Sequence, residues 1–209
     1  MTTEKQKEPT AIENRIFEAA LTLFAQKGYA ATSIREIVTQ ADVTNPMVYY
    51  YFGSKEGLFH GLIKSLQDHF YKKIMDAISD ATSVPHILRL IATEHFTGLR
   101  ESPTVFRFIY AVLYGPYESF PQHTMIETHA ELREVIVEHV DSLLPNRNRD
   151  TVREMIELWF GLVSSTSMHC LVEITAHCEN ADIIFERMCG NDAIENLLTF
   201  YLRGVGLEP

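Results

Sequence analysis

The sequence predicts an all-α chain in two domains: a small three-helix head containing a helix-turn-helix, and a larger helical body. Three observations carry this. Apolar residues recur at spacings of three and four, and no alternating apolar and polar run bounded by turn residues marks a strand. Thr10-x-x-Glu13 and Ser33-x-x-Glu36 are capping boxes, in which a hydroxyl and a carboxylate satisfy free amides at a helix start. Charge also divides the chain. Residues 1–75 carry nine Lys+Arg and eight Asp+Glu, whereas the remainder carries nine Arg, no Lys and twenty Asp+Glu.

The elements follow in order. Helix one begins after Thr10, with Ile12, Ile16, Ala20, Leu23 and Phe24 on its apolar face, and Gly28 ends it. Ser33 opens a short helix to Ala41 that carries Ile34, Ile37 and Val38. Asp42-Val43 turn the chain, and Thr44 is placed to cap a third helix to Phe52, with Pro46 in the first turn where a missing N–H is harmless. Gly53-Ser54 break it, and Ser54 caps a fourth helix through Leu58, Leu62 and Leu66 to beyond Ile74. Longer helices are expected over Val84–Glu101, Pro103–Tyr114, Pro121–Leu144, Arg149–His177 and Asn191–Arg203. The breaks between them fall at Ser102-Pro103, Gly115-Pro116 and Pro145–Asp150. The domains are expected at 9–69 and 70–209, with the motif over about 33–52 and the boundary inside the fourth helix.

Composition excludes several classes. With 46% hydrophobic and 22% charged residues in 209, the chain has the balance of a soluble globular protein. No apolar run approaches the roughly 18 residues that span a bilayer. The opening MTTEKQKEPT lacks a signal-peptide core, which sets the expectation of a cytoplasmic protein without a membrane partner. Cys170, Cys178 and Cys189 form no disulfide framework. A net charge of −10 argues against a protein that coats nucleic acid, but it leaves room for a small, well-aimed contact.

Ser33–Ala41 and Thr44–Phe52 have the lengths and the short connection of a helix-turn-helix. Val48 and Phe52, four apart, share an apolar face that should pack on Ile37, so Tyr49 and Tyr50 point away from it. Asn45, Pro46 and Met47 hold the end of the helix that meets base edges when such a helix enters a major groove. A tyrosine O–H can hold a phosphate oxygen without bringing charge, and the helix starts at Ser33, Thr44 and Ser54 are candidate anion sites beside Arg35 and Lys55. On periodicity alone, tyrosines on a short helix are more often half-buried packing residues.

The stretch GYAATSIREIVTQADVTNPMVYYYFGSKEGLF, Gly28 to Phe59, closely resembles the DNA-binding signature of the TetR family of bacterial transcriptional regulators. The resemblance implies that Tyr49 and Lys55 clamp phosphates. It implies that Thr44, Asn45, Pro46, Met47 and Tyr50 face the groove, and that Ser33 and Arg35 touch the backbone or a flanking base. Three residues depart from the family pattern: Asp42 for a turn glycine, Val38 for a small alanine, and Pro46-Met47 for Gly-Thr. Asp tolerates the left-handed conformation better than most residues, so the turn survives.

For the body, the resemblance implies a homodimer through the last two helices. The candidate interface residues are Leu162, Val163, Thr166, Cys170, Ile194, Leu197, Leu198 and Tyr201, although spacing alone fits an internal core as well. It also implies a small-molecule effector. The candidate pocket, largely apolar with a few polar groups, is Phe96, Phe106, Tyr110, Tyr114, His129, Trp159, Ser164 and Met168.

No cofactor, metal or catalytic residue is expected. His169-Cys170 and His177-Cys178 recur eight residues apart, about 12 Å along a helix, too far for one ion. Gly161–Ser165 is not a nucleophile elbow. The expectation is therefore a ligand-responsive repressor, not an enzyme. It would bind double-stranded, palindromic operator DNA as a dimer and leave it when a largely apolar effector binds. The alternative is a helical ligand-binding or scaffold dimer without specific DNA binding.

Overall fold

A computed structural model describes residues 10–114 and 123–208, leaving out the side chains of 123–129, 131 and 132. Ten α-helices follow one another among these residues. They are α1 (Ala11–Ala31), α2 (Ile34–Ala41), α3 (Asn45–Phe52), α4 (Lys55–Ile78), α5 (Val84–Glu101), α6 (Pro103–Tyr114), α7 (His123–Leu143), α8 (Arg149–Ala176), α9 (Ala181–Cys189) and α10 (Asn191–Gly204). No strand occurs among the described residues. The chain divides into two units, and α4 and α6 contribute to both. The first unit runs to Leu66 and takes in α6 from Arg107; the second holds Gln67–Phe106 and the chain from Ile126. The segment from Arg107 thus joins the unit of the head, where the sequence alone put it with the body.

In the first unit both capping boxes form. Thr10 accepts from the Glu13 amide at 3.3 Å while its own amide donates to Glu13 Oε2 at 2.7 Å. Gly28 takes φ 81° and ψ 165°, outside the helical range, and a last turn to Ala31 follows across the kink. The regular helix thus breaks at the expected glycine. Ile16, Ala20, Phe24, Ile37, Val48, Leu58, Phe59 and Ile63 fill the core, joined by Phe108 and Val112 from α6. Phe24 lies 5.9 Å from Phe59 and 6.1 Å from Phe108, ring to ring, and aromatic burial of this kind dominates so small a core.

The second unit closes around Trp159, which is fully buried, donates from Nε1 to the Leu88 carbonyl at 3.1 Å and packs on Tyr201 at 5.0 Å. The Tyr201 hydroxyl in turn donates to the Met155 carbonyl. Exposed ion pairs tie the helix ends together: Arg89 to Glu195 between α5 and α10, and Arg100 to Glu186 between α5 and α9. After α10, Arg147 holds the carbonyls of Val205 and Gly206, each at 2.9 Å. The short helix α9 and the 3-10 turn Cys178–Asn180 were not foreseen from sequence. Nine residues carry too little periodicity to stand out, although Asp182 in the first turn, Arg187 in the last and Gly190 beyond it are the usual end signals.

Candidate nucleic-acid interface

Helix α2 is fixed by Ile37, Val38 and Ala41, all buried. Its end turns through Asp42 at φ 51° and ψ 53°, the one non-glycine residue with positive φ among those described. A left-handed residue costs about 1–2 kcal/mol for most side chains and less for Asp, which can bond locally. The turn is held by the Val43 amide donating to Val38 O at 3.0 Å. It is also held by Arg15, on α1, whose Nη2 donates to the Asp42 carbonyl at 2.6 Å.

From this turn α3 runs eight residues, too few to persist alone. It is docked by Val48, wholly buried, and by Phe52, whose ring lies 5.1 Å from Phe17. The opposite face is open. Tyr50 is 83% exposed, Tyr49 54% and Met47 36%, and Asn45 and Pro46 are exposed as well. Tyr51, half-buried, braces Tyr50 edge-on at 5.1 Å. Gly53 at φ 73° ends the helix, its amide donating to Tyr49 O. The chain then folds back so tightly that a Cβ on Gly57 would sit 2.0 Å from the Phe52 carbonyl oxygen. Only glycine fits there.

The helix starts differ in what they offer. At α2 the Ser33 hydroxyl is committed: it donates to Glu36 Oε2 at 2.7 Å and accepts from the Glu36 amide, while the Ser33 amide donates to the same carboxylate. Glu36 is also paired with Lys27, and that ammonium, ahead of the Ser33 amide and hydroxyl, holds its carboxyl at about 2. A permanent negative charge therefore occupies the start of α2, which disfavours Ser33 as a phosphate holder. At α3 the Thr44 hydroxyl makes no capping bond, contrary to its expected role, because the Met47 amide turns instead to the Thr44 carbonyl at 3.0 Å. At α4 Ser54 caps as expected, accepting from the Gly57 amide at 2.9 Å.

Lys55 opens α4 with its Nζ 4.2 Å from the centre of the Tyr29 ring. Burial pushes this lysine below its ordinary value, Glu36 pulls it back up and Lys27 adds a smaller push down. The ring lays the ammonium over its face, a cation–π contact that aims the charge without neutralising it. Sequence reasoning passed over Tyr29, Arg15 and Gly57. Their partners lie 26, 27 and 5 residues away in the chain, and of the three only the Gly57 pair is near enough to have been read locally.

A model of the N-terminal domain of bacterial regulatory proteins of the tetR family matches residues 16–62, which spans α2, α3 and the docking core around them. Residues 16–62 thus match the DNA-binding domain of the TetR family. Among curated relatives, the HTH-type transcriptional regulator YuxN of Bacillus subtilis is 28% identical over 183 residues, covering 84% of this chain and 61% of that one. The fatty acid metabolism regulator protein of the same organism is 30% identical over 95 residues, covering 46% and 48%. The chain thus spans about half to three fifths of the length of these relatives. Among solved structures, the TetR fold is shared with FadR from Bacillus halodurans at TM-score 0.71 and 18% identity, over 95% of this chain and 98% of that one. It is shared also with FadR from Bacillus subtilis in complex with stearoyl-CoA, at TM-score 0.69 and 19% identity, over 89% and 97%.

The other predicted sites are less concentrated. Phe96, Phe106 and Trp159 are buried in the second unit, where His95 packs between Phe96 and Phe106 at ring distances of 5.9 and 5.0 Å. Tyr110 is buried and Tyr114 66% exposed, both in the segment from Arg107. Ser164 is half-buried, Met168 is 37% exposed, and the His129 side chain lies outside the described residues. Of these, Phe96 lines a cavity of about 340 Å³ among the described ones, together with Thr93, Thr97, Arg100, Phe185, Cys189 and Asn191.

The predicted interface needs correcting in two ways. Because α9 intervenes, the named residues sit on α8 and α10, not on the last two helices. Val163, Cys170, Ile194, Leu198 and Tyr201 are buried inside the subunit, and Leu162, Thr166 and Leu197 are half-buried. The apolar residues that face outward are Leu158 (59%), Met168 (37%) and Val172 (60%) on α8 and Phe200 (75%) on α10.

Proposed function

We propose that this TetR-family protein is a ligand-responsive transcriptional repressor, acting in the cytoplasm, that holds a palindromic operator as a homodimer. The observation that carries the reading is the outward face of α3, on which Asn45, Pro46, Met47, Tyr49 and Tyr50 are exposed while Val48 and Phe52 lock the helix to its core. Tyr49 and Lys55 hold phosphates, Thr44 offers an uncommitted hydroxyl, and Arg35 reaches the backbone beside them. Ser33 acts through the cap and not by touching DNA.

Dimerisation uses the outward stripe of α8. Leu158, Gly161, Ser165, Met168 and Val172 follow one another at three and four residues, so they share one face about 21 Å long. Small residues within it let a second helix approach closely, and Phe200 extends the apolar area. A two-fold arrangement places the same patch on both copies.

The effector is proposed to be an amphipathic molecule with a long apolar part. Support comes from the FadR of Bacillus subtilis, whose structure holds stearoyl-CoA, and from the cavity in the second unit lined by Phe96, Phe185 and Arg100. Release of DNA requires that the effector bind better to a conformer unable to engage both half-sites.

Fluorescence anisotropy tests the reading, with labelled DNA flanking the protein's own gene against scrambled DNA at about 0.15 M salt, where non-specific binding is already weak. Saturable, sequence-dependent binding by two subunits per site, reversed by long-chain acyl-CoA, is the expected result. Absence of sequence preference on any DNA would leave a helical ligand-binding dimer instead.

A further inference from the structure

Helix α3 carries no acidic or basic side chain anywhere in NPMVYYYF. That inventory decides which bases it can read. Guanine is recognised in the major groove by Arg or Lys reaching O6 and N7, adenine by Asn or Gln reaching N6 and N7, and thymine by apolar contact with its C5 methyl. Of the exposed groups at the N-terminal end of α3, Asn45 offers an amide, Pro46 a ring without an N–H, and Met47 a thioether. Tyr50 adds a ring face and one hydroxyl.

The neighbouring cations are held elsewhere. Lys27 is paired with Glu36, Arg15 donates to the Asp42 carbonyl, and Lys55 lies over Tyr29 at the start of α4. Arg35 stands on α2, outside the helix that enters the groove. Neither Arg nor Lys, the side chains that grip guanine bidentately, is therefore presented from α3, and the Thr44 hydroxyl at its start does not discriminate between bases.

Resting on the operator-binding reading above, we infer that the base pairs beneath α3 in each half-site are A·T. Asn45 reads adenine through a bidentate amide contact, and Met47, with Pro46 beside it, covers the methyl groups of thymine. Met47 is the specificity residue for thymine because it tells T from C by shape, having no polar atom to tell them apart by hydrogen bonding. It likewise separates thymine from uracil, which differs only by that methyl.

The test is selection of bound duplexes from a randomised pool by the full-length protein, repeated with Asn45→Ala and Met47→Ala. Both residues are exposed, so thermal melting of the variants should match the wild type. The selected operator is then remade with deoxyuridine in place of single thymines. The expected result is an A·T preference at the positions whose selectivity the variants relax. Uracil there should weaken wild-type binding about three- to fivefold, the worth of one buried methyl, and should leave Met47→Ala binding unchanged.

A motif with G·C at the variant-sensitive positions would overturn the inference. So would variants that shift no position, or a wild type indifferent to uracil. Failure of the pool to yield any sequence would instead refute specific DNA binding itself, so the two failures are told apart.

Discussion

Replacing Val48 by alanine separates holding the recognition helix from using it. The side chain is wholly buried, and with Phe52 it is what docks an eight-residue helix that could not persist by itself. Losing two methyl groups removes about 1.6 kcal/mol of transfer free energy at about 0.8 per carbon. An unfilled space adds to that loss, and the better helix propensity of alanine returns up to about 0.5. The net weakening of docking is therefore about 1–2 kcal/mol, or roughly a five- to thirtyfold rise in the undocked population.

Affinity responds only through the fraction of heads with α3 in place, since the apparent Kd is the intrinsic value divided by that fraction. If docking in the wild type exceeds about 3 kcal/mol, the variant still has α3 in place more than about 80% of the time, and operator affinity falls less than about twofold per head. Hydrogen exchange of peptides covering residues 44–53 should consequently accelerate five- to thirtyfold while fluorescence anisotropy barely moves. Unchanged exchange in Val48→Ala would refute the claim that this side chain anchors the helix.

Tyr49→Phe should behave in the opposite way: thermal melting unchanged, and binding to specific and non-specific DNA weakened alike by about 0.5–1.5 kcal/mol per site, with an unaltered anisotropy titration returning Tyr49 to a packing role. At the turn, Asp42→Ala should lower stability in urea by about 1 kcal/mol because alanine gains nothing from the left-handed conformation, whereas Asp42→Gly should be neutral or stabilising. The Tyr201 hydroxyl gives an alkaline signature. Burial raises its value to about 12, partly offset by Arg147, so the folded state favours the neutral phenol. Its contribution is complete below pH 10 and is lost as pH rises from 10 towards 12, a decline that unfolding curves of Tyr201→Phe should lack. That variant should also lose about 1 kcal/mol at neutral pH with the bond to the Met155 carbonyl.

What could be read from sequence was what is decided within a few residues. The Thr10 and Ser33 capping boxes span three positions, Asp42 declared a left-handed turn by its type, and Val48 and Phe52 declared the inner face of α3 by their spacing. Thr44 misled because a hydroxyl before a helix caps only if its rotamer reaches the amide, which sequence does not encode. On α8 the difficulty was of another kind. Apolar residues run along both sides of the helix, Val152, Ile156, Trp159 and Val163 inward and Leu158, Met168 and Val172 outward. Periodicity finds two stripes and cannot say which one the rest of the subunit covers. The aromatic residues named for a pocket pose the same question: Trp159 packs against Leu88 and Tyr201, whereas Phe96 lines a cavity, and spacing does not tell the two settings apart.

The scarcity of positive charge around α3 also bears on how such a protein would distribute itself in a cell. A regulator competes for its operator against about 10⁶–10⁹ non-specific sites. Each of those sites attracts mainly through phosphates, in proportion to the cations it meets. A head that lends few lysines, on a chain of net charge −10, would gain little from bulk chromosome. Few copies would be lost to idle DNA, sliding along the duplex would be short, and a small number of molecules would keep an operator occupied. On the proposed reading, tyrosines standing in for lysines would lower the number of copies the cell has to make.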